Sequence, residues 1–307
     1  VFLTLTIVGA SRGLDLRDSR DGHLVRSLLP ARYPGISAAL APNGSVLAAE
    51  ATGRCHVQLE RIDPATGDRR ALRQINEFVD HLAISPDGTR IAYVTYPTCM
   101  GPVAGSPTGS QPGGAAPAAA AGPAAYLPNE VVVTDLDGAH RVSTATDQPG
   151  HPVEAVAFSH DGTRLAVDYI GDPVGVRVFR VATLSLAAAR RLDPPAGCRY
   201  IGLAWTTSGL TTAEACAPGQ PFSPSRLVRL NLRGDVVAHW ALPRCVGGVS
   251  LKTDATGQHV IAGMSIGYGN GPCGRAWSER ISEVTRTALR PILDVPGIQQ
   301  SLSPLGW

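Results

Sequence analysis

AALAPNGSVLAAEA (38–51), LAISPDGTRIAYVT (82–95) and AVAFSHDGTRLAVDY (155–169) share one plan: an apolar run, a polar turn closing on glycine, then a second apolar run. Each reads as a β-hairpin. Asn43-Gly44, Asp87-Gly88 and Asp161-Gly162 supply the turns, because Asn, Asp and Gly tolerate the positive φ that tight connections between twisted strands demand. GLAWTTSGLTTAEA (202–215) and SLKTDATGQHVIAG (250–263) repeat the plan, and the chain closes with SLSPLGW (301–307). The turn glycines at 44, 88, 162, 209, 257 and 306 are then separated by 44, 74, 47, 48 and 49 residues.

The one long gap contains MGPVAGSPTGSQPGGAAPAAAAGPAAYLP (100–128), a Pro/Gly/Ala stretch with too little apolar bulk to order itself; without its 29 residues the gap shrinks to 45. A period of 45–49 residues built from short strands, with no amphipathic helix, fits a four-stranded propeller blade. HVQLERID (56–63), EVVVTDLD (130–137), GVRVFRVA (175–182) and SRLVRLNL (225–232) alternate as third strands should. Residues 1–22 align without gaps on 46–67, so the opening VFLTLTIVGA reads as strand; a signal-peptide reading lacks the positively charged segment that should precede it. The head of the chain lacks a first strand and the tail lacks everything after one. Joined, they make a blade. The expectation is an all-β, six-bladed β-propeller of four-stranded antiparallel blades. It forms a single domain over 1–307, with the ring closed by pairing the N- and C-terminal strands in one composite blade.

AISPDGTRIAY (83–93) and AFSHDGTRLAV (157–167) resemble the repeat of TolB-type, WD-repeat-like bacterial propellers, and Gly150-His151 ahead of the third hairpin is similar to the WD-repeat pattern. The chain departs from that pattern in having no Trp-Asp dipeptide, so the network built on it is not carried over. The resemblance implies the fold. Propellers of this kind include docking platforms and enzymes alike.

Composition narrows the partners. Lys plus Arg total 27 against 25 Asp plus Glu, a balance of +2 that provides no general field for nucleic acid or an acidic membrane surface. No apolar run is long enough for a transmembrane helix, so any signal or anchor lies outside this chain. Of the 27 basic residues all but Lys252 are arginine, and Ala and Gly abound, as expected of a GC-rich bacterial genome. Six cysteines, none in a zinc-ligand spacing, read as three disulfides; six buried free thiols in a cytosolic protein are the alternative. In the blade frame the expected pairs are Cys55 with Cys99, Cys198 with Cys216 and Cys245 with Cys273, all at one face of the ring.

Motifs for chemistry are sparse. Gly263-Met264-Ser265-Ile266-Gly267 fits a nucleophile-elbow pattern, but it leaves a strand with no helix following, so a Gly-rich loop is the expected reading. The eight histidines show no HxH or HxxxH spacing, and Asp135, Asp137 and Gly138 lack the remaining ligands of a calcium loop. No catalytic residue, metal site or cofactor is assigned. Asn43-Gly44-Ser45 is a formal glycosylation sequon inside a tight hairpin. Propeller ligands favour the channel mouth, where inner strands begin; those starts offer Asp80, His81, Glu154, Arg199, Tyr200, Gln299 and Gln300, though each also fits an ordinary solvated loop. Lys252 falls on an inner strand where its counterparts are Ala39, Ala83, Ala157 and Ala204, so it either enters the channel or is exposed by a one-residue register shift. The function expected is a monomeric, non-enzymatic, extracytoplasmic interaction or sensor scaffold for a protein or peptide. A propeller hydrolase, lactonase or cyclase is the alternative, and a purely structural domain of a longer protein a third.

Overall fold

The computed structural model describes residues 1–8, 11–33, 35–53, 55–95, 129–145, 153–169, 175–216, 224–254, 256–267, 278–296 and 301–306. Strands β1 (Phe2–Val8), β2 (Ser11–Arg17) and β3 (Leu24–Tyr33) open the chain as three quarters of blade 1. Blade 2 holds β4 (Ile36–Leu40), β5 (Val46–Gly53), β6 (His56–Ile62) and β7 (Arg69–Ile75). Blade 3 holds β8 (Asp80–Ile84), β9 (Arg90–Thr95), β10 (Glu130–Asp135) and β11 (Val142–Ala145), and blade 4 holds β12 (Val153–Phe158), β13 (Arg164–Tyr169), β14 (Gly175–Arg180) and β15 (Arg190–Leu192). Blade 5 holds β16 (Cys198–Thr206), β17 (Gly209–Cys216), β18 (Arg226–Leu230) and β19 (Val236–Ala241). Blade 6 holds β20 (Val246–Thr253), β21 (Val260–Ile266), β22 (Ser278–Val284) and β23 (Leu289–Pro296). The missing inner strand of blade 1 is β24 (Ser301–Gly306), which pairs antiparallel with β1 from Leu3↔Gly306 to Ile7↔Ser301. Six four-stranded antiparallel blades form the ring, and among the described residues no helix is long and apolar enough to cross a membrane.

Second strands are buried on both sides, which is why they read as nearly continuous apolar runs. On β5, Val46 and Ala48 pack toward blade 1 while Leu47 and Ala49 pack toward blade 3. On β9, Ile91 and Tyr93 face blade 2 while Ala92 and Val94 face blade 4. The period-2 alternation of a strand thus feeds two interfaces at once. A separate apolar cluster fills each junction, down to Phe2 of blade 1 against Ile261, Ile281 and Ile292 of blade 6. Trp240 reinforces another junction, its indole N–H donating to the Thr285 carbonyl at 2.9 Å from blade 5 to blade 6.

The hairpin turns carry their own hydrogen bonds. In blade 3 the Ser85 hydroxyl donates to Asp87 at 2.5 Å and the Thr89 N–H donates to the same carboxylate at 3.0 Å. Ser159, Asp161 and Thr163 repeat the arrangement in blade 4, where these donors hold the Asp161 pKa down at about 2. Gly88 and Gly162 have φ of 71° and 66°. Gly306 does not belong with these turns. It lies inside β24 opposite Leu3, a position that in blade 2 is taken by Ala38 opposite Ala48 rather than by Gly44. No covalent hairpin links β24 to β1, so the ladder itself sets the register, and it slides the tail relative to the alignment of turn glycines.

Cys198 and Cys216 are disulfide-bonded as directly opposed residues of β16 and β17, closing a separation of 18. Cys55 and Cys245 are each disulfide-bonded too, and no described cysteine is free. The expected partners Cys99 and Cys273, like the insertion at 100–128 and Gly150-His151, lie outside the described residues. Replacing Cys198 and Cys216 together by serine is expected to lower the unfolding free energy by about 3 kcal/mol, read from urea titrations, since the bridge restricts a loop of that length in the unfolded chain. An unchanged midpoint would contradict this.

Candidate functional site

The inner strands β4, β8, β12, β16 and β20 line a central channel. Their starting ends surround a cavity of about 460 Å³, bordered by Arg12, Ser37, Asp80, His81, Glu154, Arg199 and Lys252 among apolar and glycine neighbours. Its size is that of a small-molecule or short-peptide site. The opposite ends border a smaller cavity of about 100 Å³ that reaches His160 and Asp254. Leu82, Val156, Leu203 and Lys252 border both, so they form the waist between them.

Four inner strands leave regular pairing at the wide cavity. β8 is bulged between Asp80 and Ala83, β12 between Val153 and Ala155, β16 between Ile201 and Ala204, and β20 between Val246 and Gly248. The displaced residues His81, Glu154, Gly202 and Gly247 all border the cavity. A bulge inserts an unpaired residue and re-aims its side chain, and here four of them open the same space. His81 sits at φ 50°, in the left-handed region uncommon for a residue with a side chain. The neighbouring Leu82 N–H donates to the buried Ser37 hydroxyl at 2.8 Å, tying blade 3 to blade 2 beside the strained residue. Gly202 has φ 69°, and a Cβ there would come within 3.0 Å of the Val249 carbonyl, so glycine is required at this bulge.

Charge on the wall is mixed. Glu154 is partly buried, which raises its pKa against the pull of Arg199. Behind the wall, Asp168 is 0% exposed and its pKa lies well above the usual carboxylate range, through burial first and the nearby Glu154 second. The Gly202 N–H donates to one Asp168 oxygen at 3.0 Å. The other oxygen, and one oxygen of Glu154, are buried without a hydrogen-bond partner. Arg199 loses basicity to burial and regains some from both carboxylates. The group can hold a proton at higher pH than free carboxylates do. Asp80 accepts the His81 N–H at 2.9 Å with one oxygen and lies 3.7 Å from the His81 ring with the other.

Asp80, His81, Glu154, Arg199 and Lys252, all named from sequence, therefore come together on one cavity. Tyr200 does not. It is 3% exposed and packs with Val178, Leu203 and Trp205 between blades 4 and 5, because consecutive strand side chains point to opposite faces and Arg199 takes the channel side. Gln299 and Gln300 lie outside the described residues. Sequence reasoning missed Arg12, Ser37 and Asp168. A carboxylate interrupting the apolar run of β13 was the visible signal for Asp168. Ser265 of the elbow-like motif is on β21 and donates to Glu279 at 2.8 Å within a blade.

No protein-family model matches the sequence, and no curated protein matches it either. Solved structures do resemble it. TolB from Acinetobacter baumannii superposes with a TM-score of 0.64 at 15% identity, covering 100% of this chain and 67% of that one. A putative TolB from Agrobacterium tumefaciens gives 0.56 at 11% identity, covering 99% and 98%. An oligogalacturonate lyase in complex with manganese gives 0.54 at 13% identity, covering 88% and 67%. At such identities the likeness establishes architecture: the fold is that of the six-bladed TolB-type β-propellers.

Proposed function

We propose that this chain is a non-enzymatic, extracytoplasmic binding propeller, monomeric, whose wide channel mouth receives a polar segment of a protein or peptide partner. The carrying observation is the convergence of four bulged inner strands on one cavity bordered by Asp80, His81, Glu154 and Arg199. Bulges leave main-chain groups outside the ladder, available to an inserted backbone, while the mixed charges can meet both ends of a peptide dipole. The Cys198–Cys216 bond supports an oxidising compartment. The pairs Cys55 with Cys99 and Cys245 with Cys273 belong to the same proposal; peptide mapping without reductant checks them.

The test is selection of peptides from a random displayed library on the oxidised protein, followed by calorimetry. D80N combined with E154Q is expected to weaken the selected peptides about ten- to a hundredfold, the range for losing hydrogen bonds to charged groups, with an unchanged circular dichroism spectrum. Equal binding by the double variant would remove the proposal. The raised pKa of Glu154 favours one rival, a hydrolase, lactonase or cyclase using that carboxyl as a proton donor. Turnover of an ester or lactone panel that is lost in E154Q would replace the binding reading with the enzymatic one.

A further inference from the structure

Around the narrow cavity, one step of five inner strands is occupied by Ala39, Ala83, Ala157, Ala204 and Lys252, whose cross-strand partners Leu47, Ala92, Ala166, Thr211 and Ile261 lie in register, and of the five only Lys252 also reaches the waist. Four blades contribute a methyl group and the fifth contributes the only lysine in the chain. The alanines leave the side chain room, and it borders the wide cavity above and the narrow one below. Partial burial acts on its ammonium and lowers its pKa; among the described residues no carboxylate offsets that burial and no hydrogen bond is made. Among the described residues, the titratable groups bordering the two cavities are Arg12, Asp80, His81, Glu154 and Arg199 on the mouth side and His160 and Asp254 on the far side, and none of these forms an ion pair with Lys252. Lys252 is only part-buried, so its ammonium is open to the cavities yet only partly hydrated, and an anion that reaches it gains a charge-assisted hydrogen bond in a setting less polar than bulk water.

We propose that Lys252 is an anion subsite that anchors a carboxylate entering from the wide mouth, while Asp80 and Glu154 above it receive the N–H or cationic part of the same ligand. This deepens the reading of the mouth as a peptide site and rests on it. The carboxylate is either the end of a peptide or a free small acid. One lysine gives one side-chain signal, so protein labelled with ¹³C and ¹⁵N at lysine reports Lys252 alone, and K252A, which places there the alanine found at this step in four other blades, identifies the signal without disturbing the packing.

The probes are N-acetyl-triglycine, its C-terminal amide, acetate and chloride. Binding of a carboxylate is expected to raise the Lys252 titration by about one to three pH units, as an opposite charge at contact does. K252A is expected to bind that probe at least about tenfold more weakly. A response to N-acetyl-triglycine alone identifies a peptide end, and an equal response to acetate identifies a free acid. A response to the amide or to chloride equal to that of the carboxylates, or no response at all, overturns the subsite. If the subsite falls while D80N/E154Q still abolishes binding of library peptides, the mouth reading stands without it.

Discussion

Deletion of residues 301–307 is expected to abolish the single cooperative unfolding transition and leave a chain that binds a hydrophobic dye and self-associates. The deletion removes β24, the whole inner strand of blade 1. Without it the main-chain groups of β1 that face β24 from Leu3 to Ile7 lose their partners, and the open edge becomes a template for other chains. The inner-strand ring is also broken between β20 and β4, so the junctions on both sides of blade 1 lose a wall. The loss is expected to exceed about 5 kcal/mol, comparable with the full stability of an ordinary domain. Urea unfolding followed by tryptophan fluorescence, with light scattering for association, checks it. A truncated chain that unfolds cooperatively at the midpoint of the full chain would show that closure contributes little.

Substitution of Gly209 by alanine is expected to cost on the order of 3–5 kcal/mol, among the most destabilising single changes in the molecule. Gly209 opens β17 at φ 143°, a conformation L side chains rarely adopt, and a Cβ built there would lie 2.4 Å from the backbone carbonyl oxygen of Leu230 on β18. That oxygen belongs to a paired strand, so relief requires separating β17 from β18. Gly44 is the control. It has φ of 80° but nothing within 4 Å of a would-be Cβ, so G44A tests backbone conformation alone and is expected to cost about 1 kcal/mol. Urea midpoints of the two variants that differ by less than experimental error would refute the steric account.

The blades were legible because each hairpin carries its own instructions. Asn43-Gly44, Asp87-Gly88 and Asp161-Gly162 mark turns that form through contacts no more than a few residues away. The gapless match of 1–22 to 46–67 carried over to within one residue: after a shift of 45, β2 has the same bounds as β6, and β1 ends where β5 does but starts one residue later. Gly306 misled because its resemblance to a turn glycine lacked the following strand that makes a turn necessary. The candidate site was only partly legible. Asp80, His81, Glu154 and Arg199 stood at strand starts and could be named, whereas Tyr200, one residue along, went to the blade interface. Arg12 comes from a third strand position in blade 1 and reaches the cavity only through the packing of the ring.

Sequence by itself determined the number of blades, the strands within them and the joining of the two ends, because alternation and turn chemistry act over windows of about ten residues and repeat at a steady period. Tertiary structure alone decided the bulges at His81, Glu154, Gly202 and Gly247, and with them the shape and lining of the mouth. A bulge exists only relative to a partner strand, and a slip of one residue sends a side chain to the other face. The solitary lysine was visible from the start, but its isolation at the waist follows from five strands meeting in register around the axis.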